Sequence, residues 1–181
     1  SHIGADTLGF HIIRSSTSDW RKKAARFAEF FEVLPKHIGK TLLIDFSYDV
    51  IVECLKTARF DSIQLYPDWT PEQIGQMRAE CGYPIKVMKV MSAKSSENAP
   101  PNDAAFLERY ASCVDAFLLD SSREGGTGET ADLDHCAEIV EKSPIPVFLA
   151  GGLNLHNIDA ILRHVRPFGV DVETGVSDVI R

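Results

Sequence analysis

The sequence predicts an α/β fold, a parallel sheet covered by helices, and three observations carry that reading. Short apolar, β-rich runs alternate with longer stretches of helical period from one end of the 181 residues to the other. The runs are apolar on both faces, as buried parallel strands are. The stretches between them are long enough for the crossover that parallel neighbours require. No Pro/Gly-rich linker or low-complexity tract divides the chain, so a single domain over residues 1–181 is expected.

Taken in order, strands are expected at 7–13, 41–46, 62–66, 85–91, 116–120, 146–150 and 170–173. Helices are expected at 19–33, 49–58, 71–81, 103–111, 133–142 and 157–165. Thr70-Pro71-Glu72 sets an N-cap before a proline at the first helical position, and Asn154 or His156 is expected to open the last helix. Residues 92–102, with Pro100 and Pro101, read as a surface loop. Periodicity does not choose between a barrel and a doubly wound open sheet.

Composition excludes several classes. The formal charge is -7, and the 19 Lys and Arg residues are scattered rather than clustered, which argues against nucleic acid or an anionic membrane as a partner. Cys54, Cys81, Cys113 and Cys136 show neither disulfide spacing nor a Cys/His metal pattern, and a reducing cytoplasm is expected. No apolar run approaches the roughly 18 residues of a membrane span. The six histidines form no ligand spacing, and no metal is expected.

The chemistry concentrates where strands end. The run 147–150 leads straight into Gly151-Gly152, where the backbone can approach a ligand and the following N–H groups can face a phosphate. A plain tight turn is the other reading. One βα unit later, Thr174-Gly175-Val176-Ser177 makes a second small-residue turn. Tandem turns of this kind after consecutive strands favour a phosphate site, and a (β/α)8 barrel over an open sheet. Asp120 closes the apolar run Ala116-Phe117-Leu118-Leu119 and is expected at the C-terminal rim. A carboxyl against apolar walls has its charged form disfavoured, which suits a proton donor; a turn or cap aspartate is the alternative. The loop Gly125-Gly126-Thr127-Gly128 is expected to close over the site. His11 and Asp45, on neighbouring expected strands, would form an acid–base pair if both faced inward.

In order along the chain, Gly4-Ala5-Asp6…Gly9-Phe10, Ile63-Gln64-Leu65, Leu118-Leu119-Asp120, Gly125-Gly126-Thr127-Gly128, Leu149-Ala150-Gly151-Gly152-Leu153-Asn154, Asn157, Val165-Arg166-Pro167 and Gly169-Val170-Asp171-Val172…Gly175-Val176 resemble the phosphoribosylanthranilate isomerase family of tryptophan biosynthesis. The resemblance implies a (β/α)8 TIM barrel and an Amadori rearrangement of a phosphorylated aminoaldose to an aminoketose. It implies Asp120 as general acid and Asp171, with Gln64, as substrate-binding residues. Gly151, Gly152, Gly175 and Val176 take the place of the family's phosphate cradle, and Gly126, Thr127 and Gly128 that of the loop over the site.

A small phosphorylated sugar is the implied partner, with no cofactor, in a cytoplasmic monomer or homodimer. The family's general base is a cysteine on its first strand. None of the four cysteines carries onto it, and the chain is expected to lack strand one and the last helix, incomplete at both ends. The family's basic residue for the anthranilate carboxylate aligns with Ser18, leaving Arg14 as a nearby substitute; its rim histidine is replaced by Tyr66. These departures keep open a second reading, a non-catalytic or diverged phosphosugar-binding barrel of the same family.

Overall fold

A computed structural model describes residues 4–14, 19–93, 103–121 and 132–176. They fall into two compact units, Ser1–Met88 and Lys89–Arg181, described here one at a time.

In the first unit, β1 (Thr7–Ile12), β2 (Gly39–Ile44) and β3 (Ser62–Leu65) alternate with α1 (Trp20–Phe31), α2 (Tyr48–Thr57) and α3 (Pro71–Cys81), and β4 (Lys86–Ser92) begins at its end. The strands pair in parallel with their chain neighbours, and the register gives each face a distinct character. Phe10 of β1 sits against Phe27, Phe31 and Phe60 with ring centroids 5.1, 4.8 and 6.3 Å away, all edge-on. Such pairs each add about 0.5–1.5 kcal/mol beyond the area they bury, and here they fix α1 on the sheet. By strand alternation Gly9 and His11 face the other way, and the rungs Gly9–Thr41–Ser62 and His11–Leu43–Gln64 line that opposite face. Thr41 and Ser62 satisfy each other there through hydroxyls 2.6 Å apart.

Local signals set the helix starts. Asp19 caps α1 by accepting from the Lys22 N–H at 3.1 Å. At α3 the expected start is a full capping box: Thr70 Oγ1 accepts from the Gln73 N–H, and Gln73 Oε1 accepts from the Thr70 N–H.

The second unit holds the rest of β4, then α4 (Asp103–Ala111), β5 (Ala116–Asp120), α5 (Leu133–Lys142), β6 (Val147–Ala150), α6 (Ile158–Val165), β7 (Gly169–Asp171) and a 3₁₀ turn at Thr174–Val176. β5, β6 and β7 are again parallel and in chain order. All five residues of β5 are buried, and Asp132 caps α5 through the His135 N–H at 3.0 Å.

Most expected boundaries move by one or two residues, those of the second strand, the last helix and the last strand among them. The second strand stops at Ile44 rather than Phe46, because its partners end there: Ile44 pairs with Ile12 on one side and Leu65 on the other. Asp45 is therefore outside the ladder, and its carboxylate accepts the Arg14 N–H at 2.8 Å, closing the turn after β1. The last helix opens at Asn157 instead of Asn154 or His156, because those two residues form a turn of their own. The last strand is Gly169–Asp171, beginning and ending earlier than its apolar pattern suggests.

Candidate active site

The register of the second unit places Asp120 beside Ala150, and Ala150 beside Asp171. Laterally paired residues of parallel strands project to the same face, so the two aspartates stand on one rung, their backbones roughly 9–10 Å apart across two strand spacings. Ala150 between them contributes only a methyl group. Asp120 is 5% exposed and Asp171 half-buried. The Asp120 carbonyl accepts the Ala93 N–H at 3.2 Å, and the Ser121 N–H reaches the Ala150 carbonyl at 3.4 Å, so the backbone on both sides of the acid is tied to its neighbours.

One residue beyond this rung the chain turns at Gly151 and Gly152, with φ of 89° and 67°. Both lie in the left-handed region that favours glycine. A Cβ at Gly151 would strike the Ser121 hydroxyl and lie 2.8 Å from the Ser121 nitrogen, whereas one at Gly152 would meet nothing within 4 Å. The first glycine thus permits close packing beneath the acid strand, and the second borders open space. No hydrogen bond runs from the N–H groups of Gly151, Gly152 or Leu153 to any described residue.

The 3₁₀ turn after β7 meets this loop directly. A Cβ on Gly175 would overlap the Leu153 carbonyl oxygen and lie 2.8 Å from its carbon and 2.9 Å from Asn154 Cα. The turns after β6 and β7 therefore interlock, with Val176 exposed beside them. Asp120, Asp171, Gly151, Gly152, Gly175 and Val176 all belong to this one unit. Gly126, Thr127 and Gly128 lie outside the described residues.

Gln64 and Arg14 belong to the first unit. Gln64 is 3% exposed on the polar face of β3, its Oε1 3.4 Å from the Tyr66 hydroxyl. Arg14 follows β1; its guanidinium lies 5.4 Å from the centroid of the Phe46 ring. His11 is half-buried on the same rung as Gln64, with Leu43 between them. Asp45 engages the Arg14 backbone, which gives it a turn-closing role.

The cysteines stand as their sequence positions predict. Cys54, Cys81 and Cys136 are on helices and Cys113 precedes β5, all as free thiols. Burial pushes Cys54 and Cys136 up to about 12, so neither offers a thiolate near neutral pH. Among the described residues no three His, Cys, Asp or Glu side chains gather to hold a metal, and no helix is long and apolar enough to cross a membrane.

The sequence pattern includes Asn154 and Asn157 beside the glycines but assigns no site role to these two asparagines, which organise the turn. Asn157 Nδ2 and Asn154 Nδ2 both donate to the Gly152 carbonyl, at 2.9 and 3.1 Å, and Asn157 Oδ1 accepts the Asn154 N–H at 2.9 Å. The spacing Gly-Gly-x-Asn-x-x-Asn was the available signal. Ser121, on which Gly151 packs, gave none.

Parallel strands in chain order, each joined to the next by a helix and with glycine turns after β6 and β7, place the chain in the α/β class to which the (β/α)-barrel enzymes belong. The family model described as "N-(5'phosphoribosyl)anthranilate (PRA) isomerase" matches residues 4–178. An N-(5'-phosphoribosyl)anthranilate isomerase of Halorubrum lacusprofundi is 34% identical over 177 residues, 96% of this chain and 78% of that protein. The solved N-(5'-phosphoribosyl)anthranilate isomerase of Pyrococcus furiosus matches with a TM-score of 0.72 at 27% identity, over 97% of this chain and 80% of that one. A further solved phosphoribosylanthranilate isomerase, in complex with reduced 1-(o-carboxyphenylamino)-1-deoxyribulose 5-phosphate, has a TM-score of 0.70 at 24% identity, over 96% and 78%. The chain belongs to the N-(5'-phosphoribosyl)anthranilate isomerase family. Its activity class is intramolecular aldose–ketose isomerisation in tryptophan biosynthesis, on the family's α/β barrel fold.

Proposed function

We propose that Asp120 is the general acid of this isomerase and that Gly151, Gly152, Gly175 and Val176 hold the 5′-phosphate of the substrate. The observation that carries the reading is the register Asp120–Ala150–Asp171 running directly into two interlocked glycine turns. Asp120 gives its proton to the ribose ring oxygen as the C1–O bond breaks, which opens the ring. A base then takes the C2 proton of the resulting iminium to give the enaminol, which gains a proton at C1 and releases its O2 proton to become the aminoketose. The carboxylate of Asp171, one strand beyond Ala150, is available to the amine and hydroxyl groups of the opened substrate. The family resemblance also assigns Gln64 and Arg14 to substrate binding, Arg14 in place of the basic residue for the anthranilate carboxylate, and Gly126, Thr127 and Gly128 to the loop over the site.

The ligand of the solved relative, reduced 1-(o-carboxyphenylamino)-1-deoxyribulose 5-phosphate, carries the 5-phosphate that such a cradle would take. The proton acceptor is none of the four cysteines, which lie on helices or ahead of β5. The reading extends to one catalytic domain acting in the cytoplasm on a small phosphorylated sugar, as a monomer or homodimer.

The test is turnover of N-(5′-phosphoribosyl)anthranilate, followed by the decay of substrate fluorescence, in the wild type and in Asp120→Asn. Losing a positioned acid is expected to lower kcat by about 10²–10⁴-fold with KM nearly unchanged. Equal turnover in the two proteins would remove Asp120 from the role. Absence of turnover with retained sugar-phosphate binding would instead favour the non-catalytic reading.

A further inference from the structure

We infer that Asn157 and Asn154 are positioning residues for the phosphate cradle, setting the direction in which its central amide points. The inference rests on the cradle reading above and concerns how the loop after β6 is held.

Gly151 and Gly152 give the loop its reversal, but two left-handed glycines in a row leave the chain free to adopt many other conformations. Something must select one. The Gly152 carbonyl receives two amide donors, Asn157 Nδ2 at 2.9 Å and Asn154 Nδ2 at 3.1 Å. In a planar trans peptide the carbonyl oxygen and the next N–H point in opposite directions. Drawing the Gly152 oxygen toward the asparagines therefore aims the Leu153 N–H away from them, and that N–H has no acceptor among the described residues.

The remaining groups of the pair are used up locally. Asn157 Oδ1 takes the Asn154 N–H at 2.9 Å, and Asn154 Oδ1 takes the His156 N–H at 2.9 Å. The Asn154 carbonyl accepts the Asn157 and Ile158 N–H groups at 3.2 and 3.0 Å, leading the chain into α6. The Leu153 carbonyl packs against Gly175, so the same peptide segment is pinned from the side of the β7 turn. Asparagine suits position 157 because it donates and accepts at once. Aspartate there would keep the bond to the Asn154 N–H but set a carboxylate oxygen against the Gly152 carbonyl.

The test measures ribose 5-phosphate binding by calorimetry, with ribose as the phosphate-free control, in the wild type, Asn157→Ala, Asn157→Asp and Asn154→Ala. Steady-state kinetics on N-(5′-phosphoribosyl)anthranilate run alongside. Each variant is expected to raise the ribose 5-phosphate Kd and the substrate KM by about tenfold or more, Asn157→Asp the most, while kcat stays within about threefold. A general loss of packing would lower kcat as well. Wild type that binds ribose 5-phosphate and folded variants that bind it equally well would overturn the inference and leave the cradle intact. Wild type that binds ribose 5-phosphate no better than ribose would overturn the cradle itself, and the inference with it. Should Asn157→Ala fail to fold, Asn154→Ala, which retains the Asn157 contact to Gly152, decides the matter by the same two readouts.

Discussion

Replacing Gly175 by alanine adds a single methyl group at the point where the two turns meet, and the structure sets the size of its effect. The new Cβ would overlap the Leu153 carbonyl oxygen and stand 2.8 Å from the carbonyl carbon, against 3.4 Å for ordinary contact. Relief of the carbon contact alone, from 2.8 to 3.4 Å, needs 0.6 Å, and the oxygen demands more. The obstacle is backbone on a loop already held by Asn154 and Asn157, so it does not swing aside as a side chain would. The turn after β7 must then retreat from the turn after β6 by on the order of 1 Å, at a folding cost of about 1–3 kcal/mol. A displacement of that size between groups holding one phosphate is expected to lower kcat/KM by about 10²-fold, mostly through KM. Fluorescence-monitored turnover and a melting curve on the same preparation separate the two effects. Native-like KM and ribose 5-phosphate affinity in Gly175→Ala would refute the idea that these turns grip a common group.

Three further expectations follow from particular residues. Thr70→Ala removes one half of the α3 capping box and is expected to cost about 1 kcal/mol in urea unfolding, with turnover unaffected, since Thr70 serves the helix start and is none of the residues assigned to substrate. Cys54 and Cys136, both pushed up to about 12 by burial, remain protonated in the folded protein while the thiols of the unfolded chain ionise from about pH 9. Their contribution to stability is thus fully present below about pH 9 and is lost as pH rises toward about 12, which pH-dependent urea midpoints would detect. At pH 8 a thiol reagent is expected to label the half-buried Cys113 well before Cys54 or Cys136; equal rates would contradict the burial argument.

The elements were legible because their signals are local. α3 could be placed to the residue since Thr70, Pro71 and Gln73 specify a helix start regardless of what packs on it. The end of β2 was not legible, because Asp45 and Phe46 lose strand character only when β1 and β3 stop beside Ile44, and that depends on register between segments. The same limit governed the site. Asp120 and the glycines were visible at strand ends, and Asp171 through the family resemblance, but that Asp120 and Asp171 share one rung follows only from pairing across β6. Asn154 and Asn157 looked like ordinary turn residues, since their function is a convergence on one carbonyl that spacing suggests and only coordinates reveal.

Residue type and face explain how an acidic chain can serve a phosphorylated substrate. With a formal charge of -7 and two carboxylates on the rung beside the glycine turns, the overall field repels a dianion. A lysine or arginine cluster would offset this, but the turns after β6 and β7 carry none; they consist of Gly151-Gly152-Leu153-Asn154 and Thr174-Gly175-Val176. What these segments offer is backbone N–H, oriented by the asparagines, with the start of α6 close behind. Such donors act at hydrogen-bond range, where direction decides the outcome. The requirement for direction accounts for left-handed glycines next to a rigid asparagine staple: the glycines let the amides approach, and the staple keeps them from turning elsewhere.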